Sequence, residues 1–286
     1  MNGILLVDKP QDWTSHDVVA KLRGVFGERR IGHSGTLDPL ATGLLVVFLG
    51  KATKAVAFSE AAEKEYVVHL RLGIETDTQD ITGTVLRTAS SVPDRASLEA
   101  ILPQFCGVIQ QIPPMYSAIK VNGKKLYEIA RRGGEVERQP RNITIYELSF
   151  LGEENGDYLL RVCCSKGTYI RTLCHDIGHA LGCGGVMTAL RRTRVGSYDV
   201  QHANTVASLA GMDRASAEAL LLPTDSVFSN LVAVTLSGRN EADCRNGRAF
   251  SLALPDGNYR FYGQDGQFLM VAAVASENIH VLKRFY

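Results

Sequence analysis

Residues 32–50 read GHSGTLDPLATGLLVVFLG and set one carboxylate, Asp38, among glycines, between His33 and a long apolar run. An aspartate can serve as nucleophile, general base or metal ligand, provided that the backbone holds it rigidly. Asp38 precedes Pro39, and a residue before proline is pushed out of the α region, so a loop and not a helix carries it. Gly32, Gly35 and Gly43 permit tight turns around it, and LLVVFLG downstream anchors one end of the loop in the core. Taken alone, the loop has a plainer description: an aspartate that satisfies the amides of its own turn.

Other stretches compete for the chemistry. GLLVVFLGKAT fails as a phosphate loop, because six residues separate Gly43 from Gly50 and Ala52 follows Lys51, where a P-loop needs four and then Ser or Thr. His175-Asp176-Ile177-Gly178-His179 imitates the HExxH zinc pattern. Asp replaces Glu there, Gly178 weakens the helix, no third ligand follows, and Cys174 and Cys183 match no usual knuckle. Surface histidines are the preferred reading, and no metal is expected. On the same stretch Ile170, Leu173, Cys174, Ile177 and Leu181 recur at helical spacing, which puts Thr168, Tyr169 and Arg171 in the first turn. A cation at that end opposes the helix dipole. An anionic partner resolves the conflict, and a carboxylate such as Asp38 beside that guanidinium stays ionised and oriented, as a nucleophile must.

The whole chain bounds these readings. It has 286 residues, 45% hydrophobic and 21% charged, the balance of a globular protein with a sizeable core. Neither a signal-peptide apolar region nor a membrane-length apolar run is visible, and six scattered cysteines read as reduced thiols, so a cytoplasmic protein without membrane contact is expected. Net charge is only +1, so a polyanion must meet local patches. Between Gln110 and Ile145 lie Lys120, Lys124, Lys125, Arg131, Arg132, Arg138 and Arg141 against Glu128, Glu135 and Glu137, interleaved with Tyr116 and Tyr127. LRRTRVG adds Arg191, Arg192 and Arg194. Either cluster alone fits a solvated face; the two together point toward nucleic acid.

Several elements must position these residues. GILLVDKP reads as a strand, and Thr14 or Ser15 caps a helix with Val18, Val19, Leu22, Val25 and Phe26 on its apolar face. LLVVFLG and YVVHLRLG read as strands, residues 93–106 as a polar helix, and NITIYELSFLGEENGDYLLRVCCSKG as a hairpin. TVASLAGMDRASAEALLLPTDSVF is a helical connector. VAVTLS, RAFSLAL, YRFYG, FLMVAAV and HVLKRF then read as the strands of a small β domain over 232–286. The order is that of an α+β fold.

Taken together, NGILLVDKPQDWTSHDVV, GHSGTLDPLATGLL, YVVHLRLGIETDTQDITG, PPMYSAIKVNGKKLYEIARRG and CSKGTYIRTLCHDIGHALG with LRRTRVG resemble, in order, the bacterial tRNA pseudouridine synthases of the TruB family, which modify uridine 55 in the TΨC loop. The resemblance implies a catalytic domain over 1–231 on a mixed, largely antiparallel sheet, and a PUA-like RNA-binding domain over 232–286. It implies cofactor-free isomerisation of a flipped-out uridine, with Asp38 as nucleophile and Arg171 paired to it. Tyr66 matches the residue that packs on the target base, His33 the one that helps hold the flipped-out loop, and Tyr169 and Leu190 the other pocket residues. The strip over about 110–141 matches an RNA-gripping insertion, so Lys120, Lys124, Lys125, Arg131 and Arg132, together with Arg192, are expected on the RNA. The expected partner is the TΨC stem-loop of tRNA, and the expected state is a monomer. Two rival classes remain, an RNA-binding or chaperone protein without chemistry and the zinc hydrolase that HDIGH suggests.

Overall fold

GILLVDK forms a strand buried on both faces, β1 (Gly3–Lys9). The turn after it leads into α1 (Ser15–Phe26), which Thr14 opens through a capping box with Asp17 and Gly27 closes at φ 60°. The helix buries Val18, Val19, Leu22 and Phe26. β2 (Ile31–Ser34) and β3 (Thr42–Leu49) flank the aspartate loop, and β3 is buried on both faces, as its unbroken apolar run requires. β4 (Lys64–Leu72) alternates buried and half-buried residues, as a strand with one face on the core does. The structure is a computed structural model that describes residues 1–286 except Ala118, Asn122 and Arg131, with the backbone alone at Lys120 and Lys125.

A ten-stranded mixed sheet organises the chain. From one edge it runs through Asn204–Thr205, β1, β3, Gly185–Val195, β4, Asp157–Cys164, Arg141–Glu154 and Gly107–Gln111, with β2 paired to β3 and Tyr198–Asp199 to Gly185–Val195. Pairing is antiparallel except between β1 and Asn204–Thr205 and between β3 and Gly185–Val195. The β3 contact is short, Thr42 beside Arg191 and Gly43 beside Arg192. A Cβ on Gly43 would lie 2.3 Å from the Arg192 carbonyl oxygen, so only glycine lets these strands meet. Gly178 has a similar purpose: a Cβ there would lie 2.1 Å from the Gly185 amide nitrogen, so what reads as a helix weakness is the point where Ile170–Ala180 presses on the sheet.

The C-terminal region forms a second, four-stranded sheet in the order Val232–Thr235, Gly257–Tyr262, Phe268–Ala275 and Asn278–Arg284. One expectation is corrected here: RAFSLAL makes only an isolated bridge, Ser251 to Asn278, and the stretch between it and VAVTLS, for which no element was expected, forms the helix Gly238–Arg245. That helix has no apolar stripe to betray it; Cys244 is its buried residue. The connector is likewise broken into Val206–Gly211, Arg214–Ala219 and a 3-10 turn, because Asp213 caps a new helix through the Ser216 amide at 3.0 Å. Phe228 packs against Phe58, Phe268 and Phe285 with ring centroids 5.0 to 5.8 Å apart, so the two sheets share a core.

Candidate active site

The loop between β2 and β3 is held residue by residue. Ser15, buried at the start of α1, accepts from the Leu37 amide at 2.9 Å and donates to the Leu37 carbonyl at 3.3 Å. The Pro39 carbonyl accepts from the Asp12 amide at 2.8 Å and from Lys9 Nζ at 3.3 Å, and the Asp38 carbonyl accepts from the Ala41 amide at 3.0 Å. Leu37 is therefore pinned to the start of α1 and Pro39 to the turn that follows β1, while the Asp38 side chain stays 40% exposed. Lys9 is completely buried and also donates to the carbonyls of Pro10 and Trp13. Burial lowers its ammonium to about 8, against the pull of Asp12 and Asp38.

Arg171, in the first turn of Ile170–Ala180, meets this loop: its Nε stands 2.9 Å from Asp38 Oδ2. Its remaining nitrogens donate to the carbonyls of Thr78 at 3.0 Å and Tyr116 at 2.8 Å, and Asp80 Oδ2 lies 3.7 Å away. Only 6% of the arginine side chain is exposed. The anion that its position in the helix demanded is present, and the guanidinium also ties two further loops to the site. Asp80 is fixed in turn, its Oδ1 accepting from the Thr78 hydroxyl at 2.9 Å and the Thr82 amide at 3.0 Å. It was not singled out in the sequence, although an aspartate between threonines two residues away on either side is a turn signal.

Leu37, Tyr66, Ile170 and Leu190 belong to one buried cluster, and the hydroxyl of Thr42, at the end of the aspartate loop, donates to the Leu190 carbonyl at 3.4 Å. Burial raises the Tyr66 phenol, and Arg192 and Asp38 both act on it. Tyr169 caps the Arg171 helix with extended backbone, and the amide of buried Gln111 both donates to its carbonyl, at 3.0 Å, and accepts from its N–H, at 2.8 Å. Nothing local in the sequence marks Gln111 for that task. His33 lies on β2, its Nδ1 buried without a partner among the described residues, and burial, helped by Arg192 and His16, holds its pKa down.

Arg192 is a correction. Expected on the RNA, it is 1% exposed, and its Nε donates to the Leu44 carbonyl at 2.7 Å and its NH2 to the Gly35 carbonyl at 3.0 Å. It links the two ends of the aspartate loop, because strand alternation turns it inward while Arg191 stays half-exposed, and a bulge between Arg192 and Arg194 breaks the alternation and leaves Arg194 half-exposed as well. Lys124 and Arg132 are exposed, on the hairpin strand Lys124–Lys125 and just after the helix Leu126–Ala130. Lys120 and Lys125 pair through their backbones in that hairpin; their side chains, and Arg131 altogether, lie outside the described residues. In HDIGH both ring nitrogens of His175 are occupied, Nδ1 3.2 Å from Asp176 and Nε2 3.3 Å from Glu75, and the His179 ring stacks on it at 6.2 Å.

A buried, fully engaged arginine that orients a half-exposed carboxylate suits a carboxylate that must attack a bound substrate. Comparison with known proteins identifies the family of the chain. Residues 23–170 match the model of the TruB family pseudouridylate synthase N-terminal domain, and residues 171–229 that of the tRNA pseudouridylate synthase B C-terminal domain. The tRNA pseudouridine synthase B of Dechloromonas aromatica is 47% identical over 253 residues, covering 88% of this chain and 84% of the relative. That of Pasteurella multocida is 43% identical over 286 residues, covering 98% and 93%. Among solved structures, a Cbf5-Nop10-Gar1 complex aligns with a TM-score of 0.76 at 26% identity, covering 99% of this chain and 85% of that one. With contiguous matches to both domain models and relatives this similar along nearly its whole length, the chain belongs to the TruB family of tRNA pseudouridine synthases.

Proposed function

We propose that this pseudouridine synthase acts on uridine 55 of the TΨC loop and that Asp38 is its nucleophile. The observation that carries the reading is the 2.9 Å contact of Arg171 Nε with Asp38 Oδ2 in a loop pinned on both sides. A base stacked in an RNA loop must leave the stack before its glycosidic bond can be reached, and Tyr66, Leu190 and Tyr169 supply the aromatic and aliphatic surfaces for the flipped uracil. His33, on the strand that enters the loop, supports the displaced RNA. The Asp38 carboxylate attacks and forms a bond to the substrate, the C1′–N1 bond breaks, the uracil turns, C5 bonds to C1′, the bond to Asp38 breaks and restores the carboxylate, and the proton lost from C5 is balanced by one gained at N1. Atoms and charge balance without a cofactor.

Lys120, Lys124, Lys125, Arg131 and Arg132 act on the phosphates of the T stem-loop, and the sheet over 232–286 is an RNA-binding module of PUA type that extends this grip from the catalytic domain over 1–231. The enzyme works as a monomer in the cytoplasm. No helix among the described residues is long and apolar enough to cross a membrane. The deciding experiment is site-resolved pseudouridine analysis of an unmodified tRNA transcript and of one with cytidine at position 55. Product at 55 alone, absent from the cytidine transcript, is the expected result; product elsewhere overturns the target, and no product overturns the chemistry.

A further inference from the structure

A cavity of about 580 Å³ adjoins the aspartate loop without including Asp38 or Arg171. Trp13 and Pro10, from the turn after β1, and Val206 and Ala210, from the helix Val206–Gly211, give it apolar walls. Lys21, Arg191 and Asp8 also line it. Arg191 grips both oxygens of Asp8, at 3.1 and 2.7 Å, whereas Lys21 is exposed and has no partner among the described residues. Lys9 lines the cavity too, and its ammonium holds the Pro39 carbonyl next to Asp38.

The volume falls within the roughly 300–1,000 Å³ of small-ligand sites. An indole among small apolar side chains is a stacking surface for a flat ring, an unpaired lysine attracts a phosphate, and a carboxylate clasped by a guanidinium presents acceptors and donors to a ring edge. An uncharged apolar ligand leaves Lys21 and Arg191 unused, and a simple acid leaves Trp13 unused. A nucleotide uses all of them, and the enzyme's substrate is a chain of nucleotides.

We propose that this cavity receives a second nucleotide of the bound tRNA, one that does not react, stacked on Trp13 with its phosphate at Lys21. The proposal rests on the tRNA-substrate reading of the family.

Trp13 is the single tryptophan of the chain, so its emission reports on the cavity directly. The full-length enzyme is titrated with unmodified tRNA transcript while Trp13 emission and pseudouridine are measured in the same samples. Saturable quenching of roughly two-fold, tracking tRNA binding, is expected from base stacking. Lys21→Gln, an exposed change, and Ala210→Leu, which adds volume to the cavity, are each expected to weaken tRNA binding by roughly three- to ten-fold while the single-turnover rate at saturating RNA stays within about two-fold. Product formation with unchanged Trp13 emission overturns the proposal. Quenching by uridine or adenosine monophosphate with none from tRNA makes the occupant a free nucleotide and also overturns it. Absence of both product and quenching overturns the tRNA-substrate reading and the proposal with it.

Discussion

Arg171 Nε lies 2.9 Å from Asp38 Oδ2, and the arginine is buried while the aspartate reaches solvent. The asymmetry separates their tasks: the buried partner fixes geometry, and the open one is available to substrate. An arginine engaged by two carboxylates and two carbonyls has no freedom to swing away, so the carboxylate is held before RNA arrives.

Asp38→Asn keeps the loop, since Leu37, Pro39 and Ala41 are held through backbone groups. Pseudouridine formation is expected to vanish while tRNA affinity, measured by filter binding, stays within about three-fold. Turnover by the purified variant would remove Asp38 as nucleophile.

Arg171→Met removes the ion pair and leaves the Thr78 and Tyr116 carbonyls without their donor. Charge-assisted bonds contribute about 1.5–3 kcal/mol each, so single-turnover rates should fall by on the order of a hundredfold or more. Arg171→Lys should recover little, because one ammonium cannot span the loops that the planar guanidinium joins. A methionine variant with near-wild-type rates is the contrary result.

Arg192→Met strands the Gly35 and Leu44 carbonyls at the two ends of the aspartate loop. Denaturant unfolding should show a loss of about 3 kcal/mol, typical of breaking a buried charged contact. Because Arg192 is buried, the slope of log affinity against log salt should not change, whereas a phosphate contact would flatten it.

Lys9 gives the stability a pH signature. Its pKa is lowered by burial from the ordinary 10.5 to about 8, so between those values the unfolded chain binds more protons than the folded one, and this group's contribution to stability rises with pH. Below about pH 8 both states are protonated and the cost of burying the charge is carried in full. Lys64, lowered by burial to about 8 as well, acts with the same sign. The unfolding free energy of wild type minus that of Lys9→Met should therefore increase from about pH 8 to about pH 10.5. A flat difference would mean that Lys9 is not buried as a cation.

The basic strip divides at Tyr116. Neutralising exposed Lys124 and Arg132 should weaken tRNA binding and flatten the salt slope by under about one unit per cation, with the saturated single-turnover rate nearly unchanged. Removing the strip back to Gln111 should instead collapse that rate, because the Tyr116 carbonyl and the Gln111 amide hold Arg171 and Tyr169. Equal effects of the two changes on rate would contradict this division.

The sequence by itself determined what depends on neighbours along the chain. β3 follows from an unbroken apolar run, β4 from alternation, α1 from its capping box, and the need of Arg171 for an anion from its place in a helix. Tertiary structure decided which polar residues turn inward. Lys9, Ser15, Gln111 and Arg192 look like surface residues in the sequence, yet each is buried because backbone groups from other segments satisfy it. Buried polar side chains leave no periodic trace, since their partners are fixed only when the sheet assembles. For the same reason Gly43 and Gly178 read as loop and helix weakness until the backbones that press on them are in place. The helix Gly238–Arg245, with little apolar surface, was likewise decided by its setting and not by its own pattern.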